Sequence, residues 1–286
     1  MKLVTYKINN QQKIGAVVNN QVIDLSDLAA DMLALIDLGN EGLNEAKTII
    51  QKADSSFPIE EVQLMAPIPT PKRNVMCLGL NYAEHAKESL AVKGKDLKIP
   101  EFPIVFNKAT TAVTGPNASI PFDTAVSSEI DWEVELGVIL GKSGKNISEQ
   151  EAMRFVYGYT VINDISARDL QMQGKQYFKG KSLDGSCPMG PYLVTADEIA
   201  DPHNLQISCR VNGETKQDSN TKFMIFNIPA TIAYLSKGMT LLAGDVIATG
   251  TPDGVGFART PPEFMKSGDV LESEIEAIGL MRNQIG

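Results

Sequence analysis

Apolar and polar positions alternate along residues 3–8, 14–18 and 21–23, and Asn9–Asn10 and Asn19–Asn20 separate these runs. Alternation cut by Asn-rich turns predicts three short strands. Residues 31–38 and 41–52 switch to helical spacing and predict two helices. Pro67, Pro69 and Pro71 then forbid helix and favour extended backbone over residues 66–71. This connector divides the chain into a small N-terminal α+β cap, residues 1–66, and a larger domain, residues 72–286.

The larger part is richer in β signals. Residues 75–80 are apolar and run into a turn at Gly79, and residues 81–88 form helix-favouring sequence. The charged stretch 93–102, with Gly94 and Pro100, reads as a loop, either a lid or a plain connector. Residues 106–121 carry Lys108 and a turn at residues 114–117. Residues 132–140 alternate and are rich in aliphatic side chains, which predicts a strand. Ser148 with Glu151 three positions on resembles a capping box and opens a helix over 148–155. A β-rich run, 157–164, ends in Asp164 and leads into helical spacing over 165–171. Residues 178–188 read as a glycine-bearing loop with Lys179 and Lys181. Asn212–Gly213 centres a hairpin of residues 205–211 and 215–218. A helix is expected over 228–236, and a strand over 245–249 that enters a glycine-rich turn, 250–256. Residues 266–278 return as β-structure, and no internal repeat is evident.

Composition narrows the function classes. With 286 residues and 43% hydrophobic positions the chain can bury a sizeable core. A net charge of −9 and a pI near 4.9 argue against nucleic acid or an anionic membrane as partner. The N-terminal stretch has no apolar core of a signal peptide, and no run reaches the ~20 residues of a membrane span. Cys77, Cys187 and Cys209 are an odd set without CxxC spacing, as expected of reduced thiols in a cytoplasmic protein. Only His85 and His203 are available, which excludes a multi-histidine zinc site.

The chemistry centres on SSEIDWEVELGVILG, residues 127–141. Side chains two apart on a strand share a face, so Glu129, Asp131, Glu133 and Glu135 form a candidate row of carboxylates. Such a row entering interior sequence needs partner cations or a metal, and Glu133 with Glu135 suits a divalent ion. A solvated acidic edge strand is the alternative. His85 and Glu88 are three apart on a helix, the spacing of a carboxylate-oriented general base or of an ordinary surface pair. Asp164 stands at a strand-to-helix junction, as a site residue or a plain N-cap, and Arg168 and Gln171 share one helical face. A lysine of the 178–188 loop can stabilise an anion or lie in solvent. Cys187 reads as a packed residue and His203 as surface. The glycines of 250–256 free the backbone to hold a carboxylate with N–H groups, and no Lys-Ser/Thr follows to make a Walker A loop.

Together GLNYAEH (79–85), DWEVEL (131–136), NDISARD (163–169), KGKSLDGSCP (179–188) and TGTPDGVG (249–256) resemble the fumarylacetoacetate hydrolase family, in the family's order and from about residue 72 onward. The resemblance implies an α+β, mostly β fold, with a barrel- or roll-like catalytic domain and the site in its mouth. It implies a homodimer and one Mg²⁺ or Mn²⁺ per subunit, on Glu133, Glu135 and Asp164; Glu129 and Asp131 are not carried over as ligands. His85 and Glu88 fall on the catalytic dyad, Gln171 and Lys181 on active-site positions, and Arg168, Thr251 and Gly250 on the substrate side. The implied activity is hydrolysis of a C–C bond in an acylpyruvate-type 2,4-dioxo acid, with release of pyruvate. Oxaloacetate decarboxylation or isomerisation of a 2-hydroxy-dienedioate would use the same metal–enolate chemistry, and a non-catalytic protein stabilised by an ion is the reading from another class.

Overall fold

The computed structural model describes residues 1–92 and 100–286, so most of the expected 93–102 loop lies outside the described residues. The fold is α+β and mostly β. β1 (Lys2–Ile8), β2 (Gln11–Val18) and β3 (Gln21–Asp24) form a meander. Both of its turns are asparagine pairs with φ between 49° and 61°, a left-handed conformation that asparagine tolerates. α1 (Met32–Asp37) is capped by Asp31, whose carboxylate accepts from Ala34 N at 2.7 Å, and α2 (Gly39–Lys52) follows. The short β4 (Phe57–Pro58) and β5 (Gln63–Leu64) pair with β3 and β1.

Beyond the proline connector come β6 (Val75–Gly79), α3 (Ala83–Val92), β7 (Ile104–Lys108) and β8 (Val113–Thr114). β9 (Ile130–Asp131), β10 (Val134–Leu140), α4 (Glu149–Ala152) and β11 (Val156–Asn163) follow. Next are β12 (Ser166–Ala167), α5 (Arg168–Met172), α6 (Phe178–Lys181) and β13 (Cys187–Thr195). The chain ends with β14 (Gln206–Val211), β15 (Glu214–Asn220), α7 (Ile228–Ser236), β16 (Val246–Ala248), β17 (Val270–Ile275) and β18 (Gly279–Gln284).

The main sheet has the strand order β4-β3-β2-β1-β13-β11-β10-β16-β6-β7. Its ladder is open at both ends among the described residues, so no closed barrel forms. Residues 1–66 and the larger part share this sheet: β1 pairs with β13 through Leu3 and Leu193. They also share a core in which Leu3, Ile14 and Leu35 pack with Ile139, Met189 and Val246. A second sheet, β15-β14-β17-β18, packs its inner face on the β10–β11 region through Ile207, Leu271, Ile275 and Met281.

Three local differences from the sequence expectation position the site. The strand expected over 132–140 breaks at Trp132–Glu133. There Glu133 N donates to the Asn163 side chain at 2.9 Å and Val134 N to the Gln217 side chain at 3.0 Å, and these take the place of ladder bonds. β10 is buried along its whole length, because it lies between β11 and β16 and under the second sheet. The helix expected over 165–171 begins only at Arg168, since Ser166–Ala167 pairs with β9, and Asp164 is not its N-cap. The 178–188 loop instead contains the short helix α6 and the start of β13. Elsewhere the patterns hold: α7 spans residues 228–236, and Asn212 and Gly213, with φ of 52° and 79°, make the hairpin turn. Ser148 bonds the Glu151 carboxylate at 2.9 Å without capping the backbone. Among the described residues no helix is long and apolar enough to cross a membrane.

Candidate active site

Glu133, Glu135 and Asp164 each present a buried carboxylate oxygen, and these lie within 4.8 Å of one another. Three strand ends bring them there: the break before β10, β10 itself and the end of β11. Glu133 and Glu135 flank Val134, so the spacing of two survives the break. Asp164 follows Asn163, which pairs with Val134 across the ladder.

Buried cations surround the acids. Lys181 Nζ donates to Glu133 at 2.7 Å and to Asp164 at 2.8 Å. Lys108, fully buried, donates to the other Asp164 oxygen at 2.7 Å and to Ile165 O at 2.9 Å. Arg168 lies 2.6 Å from Glu133 and bonds Asp131 through Nε at 2.8 Å. Its Nη1 donates to Gln171 Oε1 at 2.9 Å, which leaves the Gln171 amide NH₂ for other partners. The guanidinium stacks on the Phe257 ring at 4.3 Å. Of the two lysines of the 178–188 segment, Lys181, expected at the site, is a core residue, 2% exposed, while Lys179 is exposed.

The glycine-rich turn holds carboxylates, but the protein's own. Gly250 N donates to Glu135 Oε2 at 2.7 Å, Gly254 N to both Glu88 oxygens at 3.0 and 3.1 Å, and Gly256 N to Asp131 at 2.7 Å. Gly250, expected on the substrate, therefore has its N–H engaged by Glu135. Gly250 and Gly254 sit at φ of 94° and 97°, where an L side chain is strained. A Cβ at Gly254 would lie 2.2 Å from Lys216 O. Thr251 Oγ1 donates to Val134 O at 2.9 Å and accepts from Gln217 at 2.8 Å. A substrate carboxylate, which only accepts, can take that proton only if the hydroxyl turns away from Val134.

The dyad forms on α3. His85 Nδ1 lies 2.9 Å from Glu88 Oε1, and Gly254 N fixes Glu88 from the other side. His85 is 5% exposed and lines a cavity with Glu133, Arg168, Gln171, Lys181 and Thr251. With Nδ1 committed to Glu88, Nε2 is the ring nitrogen left for chemistry. His203, the second histidine, is half-buried and accepts from Ile228 N at 3.2 Å, which helps cap α7.

Electrostatics separate the two glutamates. Burial would raise Glu133, but Lys181 and Arg168, with a smaller contribution from His85, outweigh it and hold its carboxyl down at about 2. Glu135 is pushed well above the usual carboxylate range by burial, then by the neighbouring Asp164 and Glu133 charges. Burial lowers Lys181, yet Asp164 and Glu133 raise it more, so it stays charged. Glu135 Oε1 is buried and has no hydrogen-bond partner among the described residues.

These features fit a hard divalent cation. Counted as ionised, the four buried carboxylates Asp131, Glu133, Glu135 and Asp164 exceed the three buried cations Lys108, Arg168 and Lys181 by one, and Glu135 meets that excess by holding a proton unless a cation takes its place. An unpaired buried carboxylate oxygen costs several kcal/mol unless a cation takes it up. The three carboxylates, with oxygens within 4.8 Å of one another, would hold such an ion, and an all-oxygen donor set suits Mg²⁺ or Mn²⁺.

Sequence reasoning missed Lys108 as the buried partner of Asp164, and Asp131 as the residue that neutralises Arg168 and receives Gly256 N and Phe257 N. It also missed the side-chain braces Asn163 and Gln217. The one available signal was a lysine ending the apolar-alternating run of β7, where a strand end enters the core.

The fold and this buried, carboxylate-lined cluster are those of one protein family. Residues 74–286 match the fumarylacetoacetate (FAA) hydrolase C-terminal family, and the chain belongs to it. It is 42% identical over 305 residues to oxaloacetate tautomerase YisK of Bacillus subtilis, with 100% of both chains covered. Among solved structures, a fumarylacetoacetate hydrolase from Exiguobacterium antarcticum superposes with a TM-score of 0.86 at 37% identity, covering 100% of this chain and 99% of that one. A maleylpyruvate hydrolase from Sphingobium sp. SYK-6, solved with manganese(II) and pyruvate, gives a TM-score of 0.81 at 28% identity, covering 100% and 98%.

Proposed function

We propose that this chain is a divalent-metal-dependent enzyme that interconverts the keto and enol forms of oxaloacetate. The observation that carries the reading is the His85–Glu88 dyad, which opens on the same buried cavity as Glu133 of the carboxylate triad. Keto–enol exchange needs a group to move a proton between C3 and the C2 oxygen, and a positive field over that oxygen. It needs no nucleophile. Likeness along the whole chain to an oxaloacetate tautomerase supports this choice over the C–C hydrolysis expected first.

Glu133, Glu135 and Asp164 would hold Mg²⁺ or Mn²⁺, which supplies Lewis-acid polarisation of a 2-oxo group. His85 Nε2 takes the proton from C3, and the Glu88 carboxylate steadies the imidazolium that results. Lys181 spends two of its three N–H donors on Glu133 and Asp164, and its third stabilises negative charge on the C2 oxygen. The Gln171 amide, oriented by Arg168, donates to the substrate carboxylate. Enolisation is completed when the C2 oxygen takes up a proton; in the other direction that oxygen gives up its proton and the His85 imidazolium delivers one to C3.

Hydrolysis of an acylpyruvate is the second reading. The same dyad is suited to deprotonating water, and the likeness to a maleylpyruvate hydrolase favours it. The test uses enol-oxaloacetate and an acylpyruvate panel with purified protein, with and without Mg²⁺. Loss of enol absorbance accelerated by protein and metal, and stopped by chelation, is expected. Pyruvate release from the panel without any effect on the enol would overturn the tautomerase reading in favour of the hydrolase.

A further inference from the structure

We infer that Ser89 is a substrate-specificity residue, whose hydroxyl donates to the carboxylate at the far end of a four-carbon 2-oxo diacid. The inference rests on the oxaloacetate reading above and assigns the part of the site that recognises C4.

Ser89 is 2% exposed and lies on α3. Its hydroxyl is buried and has no hydrogen-bond partner among the described residues. A serine inside a helix usually returns its proton to the carbonyl one turn earlier, and Ser89 does not. A buried hydroxyl without a partner is costly and is uncommon in native proteins. This one lines the cavity that holds His85, Glu133 and Lys181. The unsatisfied donor therefore belongs to a residue that borders ligand space rather than one enclosed in packed core.

Position on the helix says which part of a ligand it meets. Ser89 stands four residues after His85, so the two side chains share a face with Cβ atoms about 5–6 Å apart. An imidazole addressing C3 and a hydroxyl addressing an oxygen on C4 require about that separation, since the C4 carboxylate oxygens lie one bond beyond the neighbouring carbon. The same cavity is lined by the apolar side chains of Leu78 and Phe106. A single donor there discriminates strongly, because a ligand with no acceptor at C4 leaves the hydroxyl unpaired.

The test compares two probes on the Mg²⁺-loaded protein. Oxalate reproduces the carboxylate and neighbouring oxygen but has no C4, and oxaloacetate has both ends. Ser89→Ala should weaken oxaloacetate binding about tenfold, the worth of a hydrogen bond to a charged group, and leave oxalate binding within twofold. Without ligand, Ser89→Ala should melt no lower than wild type, since it removes an unpaired polar group. Equal weakening of both probes, no weakening of oxaloacetate, or a lowered melting temperature would each overturn the assignment. Wild type that binds oxaloacetate in a Ser89-dependent way but does not speed keto–enol exchange would remove the tautomerase reading and leave Ser89 standing.

Discussion

Glu135→Gln isolates the part of the site that calls for a metal. In the wild type, Oε2 accepts from Gly250 N at 2.7 Å, while Oε1 is buried beside Glu133 and Asp164 without a hydrogen-bond partner among the described residues. Glutamine has the same shape. Its oxygen can keep the Gly250 bond, and its NH₂ can donate to the neighbouring carboxylates. Without metal the variant should therefore be at least as stable as wild type, because a buried acid among like charges has been replaced by a satisfied amide. With metal the order reverses. At a free concentration 100 times the dissociation constant, an ion bound only to the folded state stabilises it by about 2.7 kcal/mol. At roughly 2–4 °C per kcal/mol for a chain of this size class, that is about 5–11 °C in Tm. If loss of one carboxylate weakens binding about 100-fold, the same ion concentration yields only about 0.4 kcal/mol, near 1 °C. Thermal melts of both proteins over a Mg²⁺ and Mn²⁺ titration measure this directly. A variant that keeps the full metal shift, or that melts far below wild type without metal, would refute the role given to Glu135.

The pH dependence of the metal shift carries a sign. Glu135 has a raised carboxyl pKa, so its stabilising contribution is present below the ordinary value of 4.5 and is lost as pH rises through the raised one. Glu133, lowered to about 2, contributes the opposite way, with stability present above 4.5 and lost as pH falls toward 2. Between 4.5 and the raised pKa, Glu135 is the triad acid that titrates, metal must displace its proton, and the Mg²⁺-dependent Tm shift should grow with pH; a shift that shrinks over this range contradicts the assignment. Lys108→Met should cost about 3–5 kcal/mol, because it strands a buried carboxylate oxygen of Asp164. Denaturant unfolding checks this, and a cost under about 1 kcal/mol would show that the pair is not what holds Asp164. His85→Ala should lower kcat about 10²–10⁴-fold and leave the metal-dependent Tm shift intact; steady-state kinetics beside melts separate the two, and undiminished turnover removes His85 from the reaction.

Local pattern alone carried much of this protein. The asparagine pairs of the first meander, the Asn212–Gly213 turn, α7 and the apolar β10 are set by period, turn chemistry and capping within a few residues. The His85–Glu88 contact is legible for the same reason, since three residues on a helix determine a neighbour. Spacing two apart likewise put Glu133 and Glu135 on one face. What the acids meet was not legible. Lys108 reaches Asp164 across 56 residues, Asp131 reaches Arg168 across 37 and Gly256 across 125, and Gln217 braces Val134 across 83. Composition offers many lysines and acids for such pairings, and only the closing of long loops by the packed sheets selects among them. The same holds for exposure: local pattern leaves a lysine of the 178–188 segment free to face an anion or solvent until the fold encloses Lys181, and the hydroxyl of Ser89, unpaired among the described residues, has meaning only once the cavity around it exists.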